Sequence, residues 1–119
     1  MASDRKMLMA AARAALVGND KHGERRQFIL GAVGLRNDGV FVQSRNLASP
    51  LPAPCHHAET RLARKLTPGS TVWVARVSRR TGGWAMAKPC PNCERRLRSA
   101  GVDRVVYTID DDEYGVIEL

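Results

Sequence analysis

Two short clusters of metal-ligating residue types, Cys55-His56-His57-Ala58-Glu59 and Pro89-Cys90-Pro91-Asn92-Cys93, each stand at the start of a helix-period segment. If both serve one ion, the fold must bring two helix beginnings together. His57–Leu66 puts Ala58, Leu62, Ala63 and Leu66 on one face and stops at Pro68-Gly69. Pro91–Ala100 puts Cys93, Leu97 and Ala100 at helical spacing, with Gly101 as its C-terminal stop. Between them Thr71–Ser78 sets Val72, Val74 and Arg76 against Trp73, Ala75 and Val77, the two-residue period of a strand.

The remaining segments follow from the same signals. Ser3 or Asp4 caps a helix that runs to about Val17, with Met7, Leu8, Ala11, Ala14 and Ala15 near helical spacing. Gln27–Leu35 and Val40–Ser44 are strands, joined by the hairpin signal Arg36-Asn37-Asp38-Gly39. Ala48–Pro54 holds three of the six prolines, which excludes helix and central strand and leaves a loop. Trp84–Ala87 is extended, Arg104–Ile109 is a strand, and Tyr114–Leu119 is a last short strand. The order is α-β-β-α-β-α-β-β. Only Asp110–Tyr114 joins the last two strands, too short for a helical crossover, so they must form an antiparallel hairpin.

With 119 residues, 44% hydrophobic and 26% charged, the chain reads as one globular domain over 1–119. Three cysteines, two of them in a C-x-x-C pair, argue against a disulfide framework and for thiols in a reducing compartment, with the cytoplasm as the default. No apolar run approaches the roughly 20 residues that span a bilayer, so no membrane partner is expected. Asp4 ahead of Met7–Val17 and Arg13 within it mark that stretch as a helix rather than a signal peptide.

The formal net charge of +7 is unevenly placed. All 19 Lys and Arg lie at or before Arg104, among only seven acids, whereas the last ten residues carry five acids and no base. A basic body suits a phosphate-bearing partner, nucleotide or single-stranded nucleic acid. It is equally the solvated surface of an arginine-rich protein, since Arg outnumbers Lys fifteen to four.

The chemistry lies in the two clusters. Cys90 and Cys93, three apart at a helix start, project from one face, and paired thiolates favour zinc. The partial positive charge of the helix N-terminus favours the thiolate form that a ligand needs. With His57 they make three protein ligands and leave a fourth place for water, the catalytic pattern of zinc, whose charge brings the pKa of bound water towards neutrality. In a regular helix Glu59 would diverge from His57 by about 200°. At a first turn, however, both can border a pocket off the helix end, where the carboxylate can move protons. A closed structural site with Cys55 or His56 as fourth ligand is the competing reading, as is Glu59 as an ordinary first-turn acid. Both leave the His57-x-Glu59 spacing as coincidence.

The match of His57-Ala58-Glu59 and Pro89-Cys90-Pro91-Asn92-Cys93 to H-x-E … P-C-x-x-C resembles the cytidine deaminase superfamily. The runs Cys55–Glu59 and Ala100–Tyr107 look most like its deoxycytidylate and cytidine deaminase branches. Met86-Ala87-Lys88-Pro89-Cys90 is similar to small phage- and virus-encoded members. The resemblance implies a three-layer α-β-α fold, with a mixed five-stranded sheet ending in an antiparallel hairpin. It further implies one Zn2+ per chain on His57, Cys90 and Cys93, with Glu59 as proton shuttle in a hydrolysis that attacks C4 of cytosine, releases ammonia and leaves uracil. By the same resemblance Asn46 is a substrate contact and the Ala58 amide touches the base.

Trp84 could stack on a base, although an aromatic beside Gly82-Gly83 more often packs. Thr60 and Arg61 stand where the deoxycytidylate branch has an apolar residue and an asparagine. In this superfamily a terminal antiparallel hairpin goes with free nucleosides, whereas editing deaminases of nucleic acid usually run that strand parallel. The implied partner is therefore a nucleoside or nucleotide. Single-stranded nucleic acid is the runner-up, a non-catalytic zinc-containing module is the third reading, and a homo-oligomer is the expected assembly.

Overall fold

The computed structural model describes residues 3–16, 28–45, 62, 65–78, 81, 83–89, 91–111 and 113–119. The first helix, α1, spans Asp4–Leu16, and the Ser3 hydroxyl caps it by accepting the Lys6 N–H at 3.1 Å. Strands β1 (Phe28–Leu35) and β2 (Phe41–Arg45) form the expected hairpin. Its turn closes with the Gly39 N–H donating to the Arg36 carbonyl at 3.0 Å, and Gly39 takes φ of 88°. Strand β3 is Thr71–Ser78 and β4 is the two-residue Trp84–Ala85; helix α2 is Pro91–Ser99, followed by β5 (Arg104–Asp110) and β6 (Glu113–Glu118). The expected segment Gln27–Leu35 and the strands after it thus agree with the observed elements to within a residue or two. The expected helix His57–Leu66 lies mostly outside the described residues.

The sheet runs β2-β1-β3-β5-β6, antiparallel throughout except for the parallel β3–β5 pair. This is the anticipated mixed five-stranded sheet with its C-terminal antiparallel hairpin. One strand is added: β4 pairs with the Arg76 and Val77 end of β3. The sequence showed only an extended segment there, because two residues are too few to display a period.

The alternation of β3 sorts the molecule into three layers. Trp73, Ala75 and Val77 join Met7, Leu8, Ala11 and Ala15 of α1 in one buried cluster. Val72 and Val74 face the other way, into a cluster with Leu62, Leu97 of α2, Val102 and Val105. Helix α1 comes so close to the sheet that a Cβ on Gly31 would stand 2.2 Å from the Ala11 carbonyl oxygen and 2.6 Å from the Ala15 nitrogen. Its N-terminus is tied down by charge. Both Arg104 terminal nitrogens donate to the Asp4 carboxylate, and the Trp73 indole N–H donates to it at 3.0 Å. The Arg104 hydrogen bond, aided by the Trp73 bond and the Arg104 charge, holds the Asp4 carboxyl below the ordinary carboxylate range against the opposing cost of burial.

Candidate active site

Of the expected site residues, Cys93 and Trp84 are described; Asn46, His57, Ala58, Glu59 and Cys90, with Cys55 and His56, lie outside the described residues. Cys93 is the third residue of α2 and fully buried, and it is outside any disulfide. Pro91 opens the helix, where its missing N–H costs nothing, and the buried Pro89 precedes it. Leu97, one turn beyond Cys93, anchors the same helix in the core. A buried thiol in the first turn of a helix suits a zinc ligand, because the helix dipole favours its thiolate and sulfur is a soft donor. Among the described residues no three His, Cys, Asp or Glu side chains gather to hold a metal ion.

The other motif is represented by the end of its segment. Leu62 is completely buried, and with Leu66 it packs in the cluster that holds Leu97. Both side chains lie over β1, where a Cβ on Gly34 would meet the Leu66 side chain at 2.6 Å and that of Leu62 at 3.3 Å. The Lys65 ammonium donates to the Gln43 carbonyl of β2 at 2.9 Å. The segment after His57-x-Glu59 and the helix carrying Cys93 therefore pack on one face of one sheet.

That face meets a split in the sheet. Parallel pairing of β3 with β5 extends from Thr71–Arg104 to Val74–Tyr107. Beyond it β4 enters along β3, opposite Arg76 and Val77. The Ala87 N–H donates to the Thr108 carbonyl at 2.8 Å, so the incoming segment is also bonded to β5. The buried Thr108 hydroxyl accepts the Arg76 N–H at 3.1 Å and donates to the Ala85 carbonyl at 2.7 Å. A second fastening comes from the β5–β6 turn, where Asp111 Oδ1 accepts the Trp84 N–H at 2.7 Å. Four residues after Ala87 the chain begins α2. The carboxyl ends of parallel strands, where a sheet opens, are where α/β folds bind ligands.

Trp84 is half-buried and packs with the α1 cluster, on the opposite sheet face from Leu97. This is the packing position weighed for it from the sequence. Sequence reasoning missed Thr108 and Asp111. A threonine in a strand and an aspartate in a turn are ordinary in those places, and only the route of β4 gives them work.

The sequence pattern of a family described as "Cytidine and deoxycytidylate deaminase zinc-binding region" matches residues 2–109. Solved structures of similar shape include the cytidine deaminase from Burkholderia pseudomallei, at TM-score 0.71 and 21% identity over 98% of this chain and 93% of that one. The cytidine deaminase from Mycobacterium leprae aligns at TM-score 0.58 and 19% identity, covering 98% and 94%. That from Mycobacterium tuberculosis aligns at 0.53 and 22%, covering 93% and 90%. No curated protein matches the chain. At these identities the structural likeness speaks for the fold.

Proposed function

Because this chain belongs to the cytidine and deoxycytidylate deaminase family marked by its zinc-binding region, and is by that membership a hydrolytic deaminase, we propose that it converts cytosine to uracil in a free nucleoside or nucleotide. In this reading His57, Cys90 and Cys93 hold one zinc ion per chain and Glu59 moves the protons. The observation that carries the choice of a small substrate is the antiparallel β5–β6 hairpin, the arrangement that goes with free nucleosides. The acidic turn of that hairpin supports it. Asp111 is fastened to the segment that leads into Cys90, and a polyanionic strand crossing there would meet like charge.

Zinc bound to this set supplies a nucleophile from water near neutral pH. Glu59 accepts a proton from the attacking water and returns it to the departing amine, so that cytosine and water become uracil and ammonia. The Ala58 amide orients the base and Asn46 contacts the substrate. Trp84, packed against the cluster that α1 shares with β3 and β5, supports β4 in this scheme rather than stacking on the base.

A second reading, deamination within single-stranded nucleic acid, has one observation in its favour: Arg95, Arg96 and Arg98 are all exposed on α2. Incubation with cytidine, deoxycytidine, their phosphates and a cytosine-containing oligonucleotide, following ammonia release, separates the two. The proposal predicts turnover of a nucleoside or nucleotide, with the oligonucleotide untouched at low and high salt. Turnover of the oligonucleotide alone, weakening with salt, would transfer the assignment to the second reading. The reading includes a homo-oligomer, for which Val40 and Phe41 near one sheet edge and Tyr114 and Val116 on the other offer exposed apolar surface. Sedimentation giving a monomer at micromolar concentration would remove that part.

A further inference from the structure

We infer that Thr108 is a positioning residue for the metal site, holding the segment that carries Cys90 into α2 by inserting its hydroxyl between β3 and β4. The inference rests on the reading that Cys90 and Cys93 hold zinc. Three hydrogen bonds converge on this one residue of β5. Its hydroxyl takes the Arg76 N–H of β3 at 3.1 Å and gives its proton to the Ala85 carbonyl of β4 at 2.7 Å. Its carbonyl takes the Ala87 N–H at 2.8 Å. Arg76 and Ala85 are themselves paired across β3 and β4, so the hydroxyl ties both members of that pair to β5.

The geometry explains why a hydroxyl is needed. Parallel pairing of β3 with β5 stops at Val74–Tyr107, and a wedge of two residues is too short to hold its place by ladder bonds alone. Thr108 itself is fully buried, so water does not compete for its hydroxyl. Loss of the hydroxyl would take this partner from the part-buried Arg76 N–H and Ala85 C=O. From Ala87 only Lys88 and Pro89 intervene before Cys90. Slack at Ala85 and Ala87 therefore reaches the first thiol ligand directly, and Cys93 follows at the start of α2.

The test uses the full chain carrying Thr108→Val, which keeps the branched shape and removes the hydroxyl, beside Thr108→Ser, which keeps it. Thr108→Ala is made in parallel in case valine cannot be accommodated. Zinc affinity is read by competition with a chelator, and hydrogen exchange at the amides of residues 85–88 is read without metal. For Thr108→Val or Thr108→Ala the inference predicts roughly tenfold or greater loss of zinc affinity, the scale typical of groups that orient ligands. It also predicts faster exchange confined to residues 85–88, and recovery of both properties in Thr108→Ser. Unchanged zinc affinity with faster exchange would overturn the inference and leave the functional reading intact. A wild-type chain that binds no zinc would overturn both.

Discussion

At Gly31 the side chain is a hydrogen because α1 lies against the strand there. An added methyl would meet the backbone of Ala11 and Ala15 rather than a yielding side-chain end. Gly31→Ala must therefore lift the helix or bend the sheet, and overpacking of this kind costs about 1–3 kcal/mol. Urea unfolding should show a loss in that range, and a neutral result would mean that α1 sits farther from β1. Asp4 makes a second local prediction. Its carboxyl is held below the ordinary range chiefly by Arg104, so its contribution is fully present above pH 4, roughly the unfolded carboxylate value. It is lost as pH falls through the lower folded value. Asp4→Asn should cost about 1 kcal/mol at neutral pH, since the ion pair is partly exposed and screened. Stability measured against pH should converge with that of the wild type in strong acid; parallel curves would show that Asp4 does not titrate in this way.

Among the elements, α2 shows how local rules place a proposed metal ligand, Cys93. Its end is fixed by two hydrogen bonds, from the Gly101 N–H to the Arg98 carbonyl at 3.0 Å and from the Val102 N–H to the Leu97 carbonyl at 3.1 Å. That pattern requires a left-handed residue at position 101, and Gly101 takes φ of 86°. A Cβ there would also stand 2.6 Å from the Pro68 Cα. Gly101→Ala should lower the unfolding midpoint at least as much as Gly31→Ala, because strain adds to the clash; calorimetry of the two variants compares them. Proline at the start, glycine at the end and Leu97 on the inner face made α2 legible from its residues alone. The β1–β2 turn and the β5–β6 hairpin were legible for the same reason, since their signals are local. Strand β4 was not. It exists because β3 and β5 part company, a relation between residues more than thirty apart that no short pattern encodes.

On the scale of the whole molecule, the three layers set the residues that follow the first motif and the helix that carries Cys93 on one sheet face. Leu62 and Leu66 of the first segment and Leu97 of the second share a core cluster. The family was legible because metal binding and proton transfer, wherever a fold uses them, restrict residue type and spacing severely, and His57-x-Glu59 and Cys90-x-x-Cys93 have such spacing. The supports were illegible because the Thr108 hydroxyl and the Asp111 carboxylate bind backbone groups of their partners, which any sequence supplies. Packing on both sides of the sheet requires no helix long and apolar enough to cross a membrane, and none occurs among the described residues.

In the proposed function, Glu59 performs proton transfer at a zinc site it does not help to build. Ammonia release from the preferred cytosine substrate, measured for wild type and Glu59→Ala at equal zinc content, addresses it directly. This role predicts one zinc ion per chain in both proteins and a rate roughly a hundredfold or more lower in the variant. A zinc-loaded Glu59→Ala protein that deaminates at the wild-type rate would contradict it.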